Sequence, residues 1–102
     1  MIRLKQRLQN EAGETYFVLL SADSDEEAAT FLQDMWRYVD MSMYPTPDQA
    51  LGEWTDRFRR VRSSYSNYGG ICIRTHAWSP SDDEQPLYGR VLVFLRTRGI
   101  DV

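Results

Sequence analysis

Few side chains in this sequence are suited to nucleophilic or acid–base chemistry. It holds one cysteine, Cys72, and one histidine, His76. Both fall in an alternating segment that predicts a strand, in which residues four apart lie roughly 13 Å from each other. A nucleophile and its base must lie within hydrogen-bonding distance, so this spacing excludes the pair as a catalytic dyad. We therefore expect Cys72 to be a small packing residue and His76 an ordinary surface or half-buried side chain.

The acidic residues and glycines predict no site of their own. Acids cluster at 23–27, where a helix start would favour carboxylates, and at 82–84, in a proline-containing segment that predicts a loop. A paired-carboxylate site needs acids from separate elements enclosed in a cleft, and neither cluster has the spacing of a calcium loop. Gly69-Gly70 lacks the lysine and helix start of a P-loop. We therefore expect no catalytic residue, no cofactor and no metal.

The basic residues are almost all arginine, since eleven of the twelve are arginine and only Lys5 is lysine. Codon bias would produce this composition, but guanidinium groups also make bidentate contacts with carboxylate or phosphate that an ammonium cannot. One basic stretch falls in a predicted helix, close to aromatic residues. It is interpreted as a solvated helix end, a contact for an acidic protein partner, or a contact for nucleic acid. Its members are Arg57, Arg59, Arg60 and Arg62.

Aromatic and methionine side chains crowd the segment between the two predicted helices. Connections run over the surface, and methionine and tyrosine are adaptable contact residues. These side chains either fold back over the helix ends or anchor a partner, and Trp78 is a second anchor candidate. The candidate anchors in the segment are Tyr38, Met41, Met43 and Tyr44.

Four strands and two helices are predicted to position these residues. Residues 2–9 alternate and 16–20 form an apolar run, which together predict a hairpin whose first strand buries Ile2, Leu4 and Leu8. Residues 71–78 and 87–98 predict the third and fourth strands. Capping boxes at 24–27 and 46–49 precede apolar stripes that reach about Asp40 and Tyr65.

The resulting order is ββααββ, which predicts an α+β fold in a single domain spanning residues 1–102. We expect a four-stranded, mostly antiparallel sheet with the two amphipathic helices packed on one face, in a strand order that the pattern leaves open. Alternation in the third strand places Ile71 and Ile73 toward the helices. It places Cys72 and Arg74 on the opposite face.

The function expected is that of a small acidic, non-enzymatic protein-binding module. Such a protein acts by covering a surface of a larger protein target, as an inhibitor, immunity, anti-defence or adaptor protein does. The net charge of −3 argues against unspecific binding to nucleic acid or to a membrane surface, and no apolar run approaches a membrane span. With one cysteine no internal disulfide forms, so a cytoplasmic location is expected.

Three alternatives remain open. A nucleic-acid-binding regulatory domain would use an outward sheet face with Arg3, Lys5, Arg7 and Arg74 beside Trp78. A small-ligand-binding protein or enzyme would need Arg74 and His76 to face the helices, against the alternation. A homodimer through the first strand is possible, although the basic residues of that strand discourage edge pairing.

Overall fold

The computed structural model describes residues 1–39, 46–55, 61–65, 70–75 and 85–102. The described elements follow the order ββααβββα. The strands are β1 (Arg3–Gln9), β2 (Thr15–Ser21), β3 (Trp54–Thr55), β4 (Val61–Tyr65) and β5 (Gly70–Thr75), and the helices are α1 (Asp25–Val39), α2 (Pro47–Leu51) and α3 (Gln85–Thr97). The strands form one sheet in the order β1-β2-β5-β4-β3, and every pairing in it is antiparallel.

The β1–β2 hairpin turns at a polar loop that satisfies its own backbone. The Asn10 side-chain oxygen accepts hydrogen bonds from the backbone amides of Ala12 at 3.0 Å and Glu14 at 2.9 Å. Gly13 has a φ of +81°, a left-handed conformation that side chains other than glycine's rarely adopt. The predicted hairpin is confirmed.

A bulge in β1 changes which side chains this strand directs to the core. The register shifts between Leu4 and Gln6, so Lys5 has no partner residue on β2. One extra residue reverses the alternation that follows it. Arg7 therefore lies opposite a buried residue of β2, and Leu8 lies on the other face. The prediction that Leu8 is buried with Ile2 and Leu4 was wrong, because nothing in the alternation signals a bulge.

Helix α1 begins as its sequence predicts. Ser24 Oγ accepts a hydrogen bond from the backbone amide of Glu27 at 3.1 Å, and Glu27 Oε1 accepts one from the backbone amide of Asp23 at 2.9 Å. This arrangement satisfies amides that the first helical turn leaves free. The apolar stripe of α1 then packs onto the sheet.

All three helices contribute to one core on one face of the sheet. The buried side chains of α1, α2 and α3 join those of β2 and β5 in a single apolar cluster. On the sheet this cluster consists of Val18, Leu20, Ile71 and Ile73. The α+β class, the antiparallel sheet and the packing of helices on one face are confirmed.

The second predicted helix is much shorter than expected. Its capping box forms, with Thr46 Oγ1 accepting from the Gln49 amide at 3.3 Å, but α2 ends at Leu51 and Gly52 adopts an extended conformation. The chain continues into β3 and β4, so the predicted stripe from 50 to 65 was wrong as a helix. Glycine after the last helical residue is a stop signal, and the ladder with β5 then fixes β4 as a strand.

The fourth predicted strand is a helix, α3. A run of five apolar residues suits a buried strand or a buried helical segment equally, and here the burial pattern is helical. Val91, Phe94 and Leu95 are buried, whereas Val93 is 41% exposed. The predicted order ββααββ is therefore corrected after α2. Among the described helices none is long and apolar enough to cross a membrane.

Candidate interaction surfaces

One face of the sheet carries none of the described helices. Directly paired residues on neighbouring strands share a face. Leu8 pairs with Phe17 and Phe17 with Arg74, so this row lies opposite the core. In the next row Leu19 pairs with Cys72. We call this side of the sheet, defined by Leu8, Phe17, Leu19, Cys72 and Arg74, the open face.

The open face combines apolar and cationic groups. Leu8 is 36% exposed, and Phe17, Leu19 and Cys72 are half-buried. Arg74 is exposed beside them. An apolar centre bordered by arginine is the composition typical of a protein contact surface.

Charge is divided unequally between the strands and the rest of the chain. The residues of the five strands include five basic side chains and no aspartate or glutamate. The remaining residues hold the other seven basic side chains and all fifteen acids, which gives them a charge of −8 against +5 for the strands. The sheet is therefore basic in a chain whose net charge is negative.

Cys72 is a poor nucleophile in this setting. Burial raises the pKa of its thiol above the ordinary value, and the nearby Arg74 charge and a hydrogen bond from Ser64 offset this only in part. The thiol is therefore protonated near neutral pH, whereas the reactive form is the thiolate. This fits the prediction that Cys72 is a packing residue.

A second surface lies where α1 and α3 meet, on the opposite side of the molecule. Tyr38 is 47% exposed, although its ring lies 5.6 Å from that of the buried Phe94. The Arg98 guanidinium lies 4.8 Å from the centre of the same Phe94 ring and 3.1 Å from a carboxylate oxygen of Asp34. Val93, the residue before Phe94 in α3, is a second exposed apolar side chain on the helix layer. We call this the helical surface.

The acids predicted to serve the start of α1 do so. The amino group of Met1 forms ion pairs with Asp23 and with Glu27, the latter at 2.8 Å. These contacts lower the pKa values of both carboxyl groups. Within the described ranges no group of three histidine, cysteine, aspartate or glutamate side chains lies close enough to hold a metal ion.

The predicted partner-binding residues have different outcomes. Tyr38 lies on the helical surface. Arg62 belongs to β4, opposite Arg74, so its predicted place on a helix was wrong. The other residues of the prediction lie outside the described ranges, and their roles stay a prediction: Met41, Met43, Tyr44, Arg57, Arg59, Arg60 and Trp78.

The two alternative sites are also corrected in part. Arg74 is exposed on the open face, as the alternation predicts, so it does not line a pocket against the helices. Arg7 was predicted on the outward face, but it lies on the helix side and donates a hydrogen bond to the backbone oxygen of Asp101 at 3.3 Å. His76 lies outside the described residues.

Sequence reasoning missed Phe17, Leu19 and Leu8 as surface residues. The first two fall in an apolar run that predicts a strand buried on both faces. Leu8 was assigned to the core through the unbroken alternation of β1. A signal was present in the composition, since none of the strand sequences contains an acid.

Comparisons with known proteins add little to this geometry. No family model matches the sequence, and no curated protein matches it significantly. Among solved structures the chain is similar to a hypothetical protein from Staphylococcus aureus. The two share 20% identity over 99% of this chain and 96% of the other, with a TM-score of 0.48.

Proposed function

We propose that this protein is a small, non-enzymatic protein-binding module that covers a surface of a larger protein target. Inhibitors, immunity proteins, anti-defence proteins and assembly adaptors act in this way. The observation that carries the proposal is the open face, where Leu8, Phe17 and Leu19 reach solvent beside Arg74. We assign this face as the contact surface.

The energetics favour covering of this face by another macromolecule. Full burial of a fully exposed leucine or phenylalanine side chain contributes about 1.5–3 kcal/mol, and Leu8, Phe17 and Leu19, which are already partly buried, each gain a fraction of that. Five strands spaced by about 4.8 Å, with an average length of about five residues, give a footprint of roughly 19 by 18 Å. This is about half of the ~800 Å² that each partner contributes to a standard interface. A contact restricted to the open face is therefore expected to be weak, and a tight complex extends beyond it.

Binding of single-stranded nucleic acid is the second candidate, favoured by the direct pairing of Phe17 with Arg74. Bases stack on aromatic rings while arginine contacts phosphate. Two of the three apolar side chains are leucines, however, and the net charge is −3. These features favour a protein partner over nucleic acid.

The test is affinity capture from a lysate of the cells that encode the protein, with wild-type and variant baits. Leu8→Glu and Val93→Glu make the same change at side chains that are 36% and 41% exposed, the first on the open face and the second on the helical surface. We expect a stoichiometric protein to be captured by wild type and Val93→Glu, and its recovery to fall at least about tenfold with Leu8→Glu. Circular dichroism of both variants confirms that they are folded.

Two results contradict the proposal. Capture that survives Leu8→Glu and is lost with Val93→Glu places the contact on the helical surface and refutes the open face. Absence of any stoichiometric protein from the wild-type eluate, with oligonucleotide recovered at low salt, refutes the protein-binding function.

A further inference from the structure

The open face belongs to the basic layer of an otherwise acidic molecule. The strands hold five basic side chains and no acid, and the rest of the chain holds a charge of −8. Complementary potentials across an interface steer association and exclude partners of the wrong charge. A partner that carries negative charge is attracted by Arg3 and Arg74, which are exposed on the open face, and not by the rest of the chain as a whole.

Arginines border the apolar centre of this face on more than one strand. Arg74 is exposed on β5, and Arg3 is exposed on β1 and pairs with Ser21 on the same side. The register also places Arg62 opposite Arg74.

We infer that the partner presents an acidic protein surface, in which carboxylates surround an apolar contact. This inference rests on the proposed function, because it specifies the chemistry of a protein bound to the open face. Guanidinium groups bind carboxylates through paired, planar hydrogen bonds, and Arg3 and Arg74 present two such groups on this face. The leucines of the open face match apolar side chains of a protein better than they match bases.

The probe is a designed amphipathic helical peptide with leucines on one face and glutamates along both borders. About 14 residues give it a length of ~21 Å, close to the width of the sheet. One matched peptide carries lysine in place of each glutamate, and a second carries serine in place of each leucine. Oligothymidylate serves as the nucleic-acid probe. Each is titrated into ¹⁵N-labelled protein, and amide chemical shifts report the site even when affinity is weak.

The acidic peptide is expected to shift the amides of Leu8, Leu19, Cys72 and Arg74, and the lysine peptide is expected to leave them unchanged. Arg74→Gln removes one charge from the open face, and Arg37→Gln removes one from an exposed position on α1. We expect Arg74→Gln to weaken binding about three- to fivefold, and Arg37→Gln to leave it unchanged or weaken it only slightly. Raising salt from low ionic strength to about 0.3 M weakens binding further.

Three outcomes overturn the inference. These are equal binding of the glutamate and lysine peptides, shifts confined to α1 and α3, and tighter binding of oligothymidylate than of the acidic peptide. If the glutamate peptide fails while Leu8→Glu still abolishes capture of a protein from lysate, the acidic partner is refuted and the protein-binding function stands.

Discussion

A buried hydrogen bond joins the helix layer to the sheet at the scale of single residues. The Trp36 indole N–H donates to Ser63 Oγ at 2.8 Å, and both side chains are fully buried. Ser63→Ala removes the acceptor of this buried hydrogen bond. We expect the free energy of unfolding to fall by about 1–3 kcal/mol. Urea denaturation measures the loss. Ser64→Ala, half-buried on the open face, is the control and is expected to cost under about 0.5 kcal/mol.

The measured difference between these two serines tests the position of β4 directly. Equal effects of Ser63→Ala and Ser64→Ala would contradict the assignment of Ser63 to the core side of the sheet.

The thiol of Cys72 gives a prediction on pH. Because burial raises its pKa, alkylation by iodoacetamide is expected to be slow at neutral pH, and its rate is expected to rise with a midpoint above the ordinary thiol range. The same protein in urea is the control, and the single cysteine makes the signal unambiguous. A midpoint in the folded protein at or below that in urea would contradict the prediction.

The sign of the linked stability effect follows from the same shift. The folded state holds the Cys72 proton more tightly than the unfolded state does. The contribution of this thiol to the stability of the folded state is therefore fully present below the pKa of the unfolded thiol. It is lost as the pH rises through the pKa of the folded thiol.

At the scale of elements, substitutions at two glycines test whether α3 is a helix and not the strand that the sequence predicted. Gly99 has a φ of +79° and follows α3, whereas Gly89 lies inside α3 with open space where a Cβ would be. Gly99→Ala is expected to lower the free energy of unfolding by about 1 kcal/mol, and Gly89→Ala to raise it by about 0.5–1 kcal/mol. Thermal or urea unfolding of both variants gives the two signs. Destabilisation by Gly89→Ala would argue against the helix.

The end of α3 contains a signal that the sequence reading overlooked. The Gly99 amide donates to the Arg96 oxygen at 3.0 Å and the Ile100 amide to the Leu95 oxygen at 3.0 Å, a glycine-terminated helix stop in which Ile100 is buried. Glycine after a basic turn, followed by an apolar residue, is a recognisable sequence pattern. Together with the apolar run at 91–95, this helix-stop pattern favours a helix over a strand.

The sequence predicted correctly several features that depend on interactions between residues close to one another in the chain. The capping box of α1, its buried stripe and the β1–β2 hairpin depend on residues within a few positions of one another, and all were predicted. Strand β4 pairs with β5 across a connection of only four residues, so this pairing is also local, and it was missed because the apolar spacing from 50 to 65 was interpreted as helical. The hydrogen bond from Trp36 to Ser63 spans 27 positions, and no local pattern in the sequence predicts it.

The candidate site was predictable only where alternation is unbroken. The outward position of Arg74 and Cys72 followed from β5 alone. The open positions of Phe17 and Leu19 depend on which sheet face the helices occupy, and that of Leu8 depends on the bulge at Lys5.

At the scale of the whole molecule, every layer contributes to one apolar cluster. It includes residues of β2, β5 and all three helices, together with Ile100 and Val102 after α3. A domain with a single core unfolds in one cooperative step. We expect the urea transitions followed by near-ultraviolet and far-ultraviolet circular dichroism to coincide. Loss of the near-ultraviolet signal at a clearly lower urea concentration would show that the helices separate from the sheet before they unfold.

The bulge at Lys5 has a consequence for behaviour in concentrated solution. Growth of fibrils requires flat strands whose backbone groups repeat at a constant spacing, so that each added chain copies the one beneath it. Among the described strands, β1 is the longer of the two at the edges of the sheet, and its spacing is interrupted at a lysine that has no partner residue on β2. An incoming strand can match the backbone on one side of Lys5 or the other, but not across it. The same residue that turns Leu8 outward therefore makes the edge of the sheet a poor template for self-assembly.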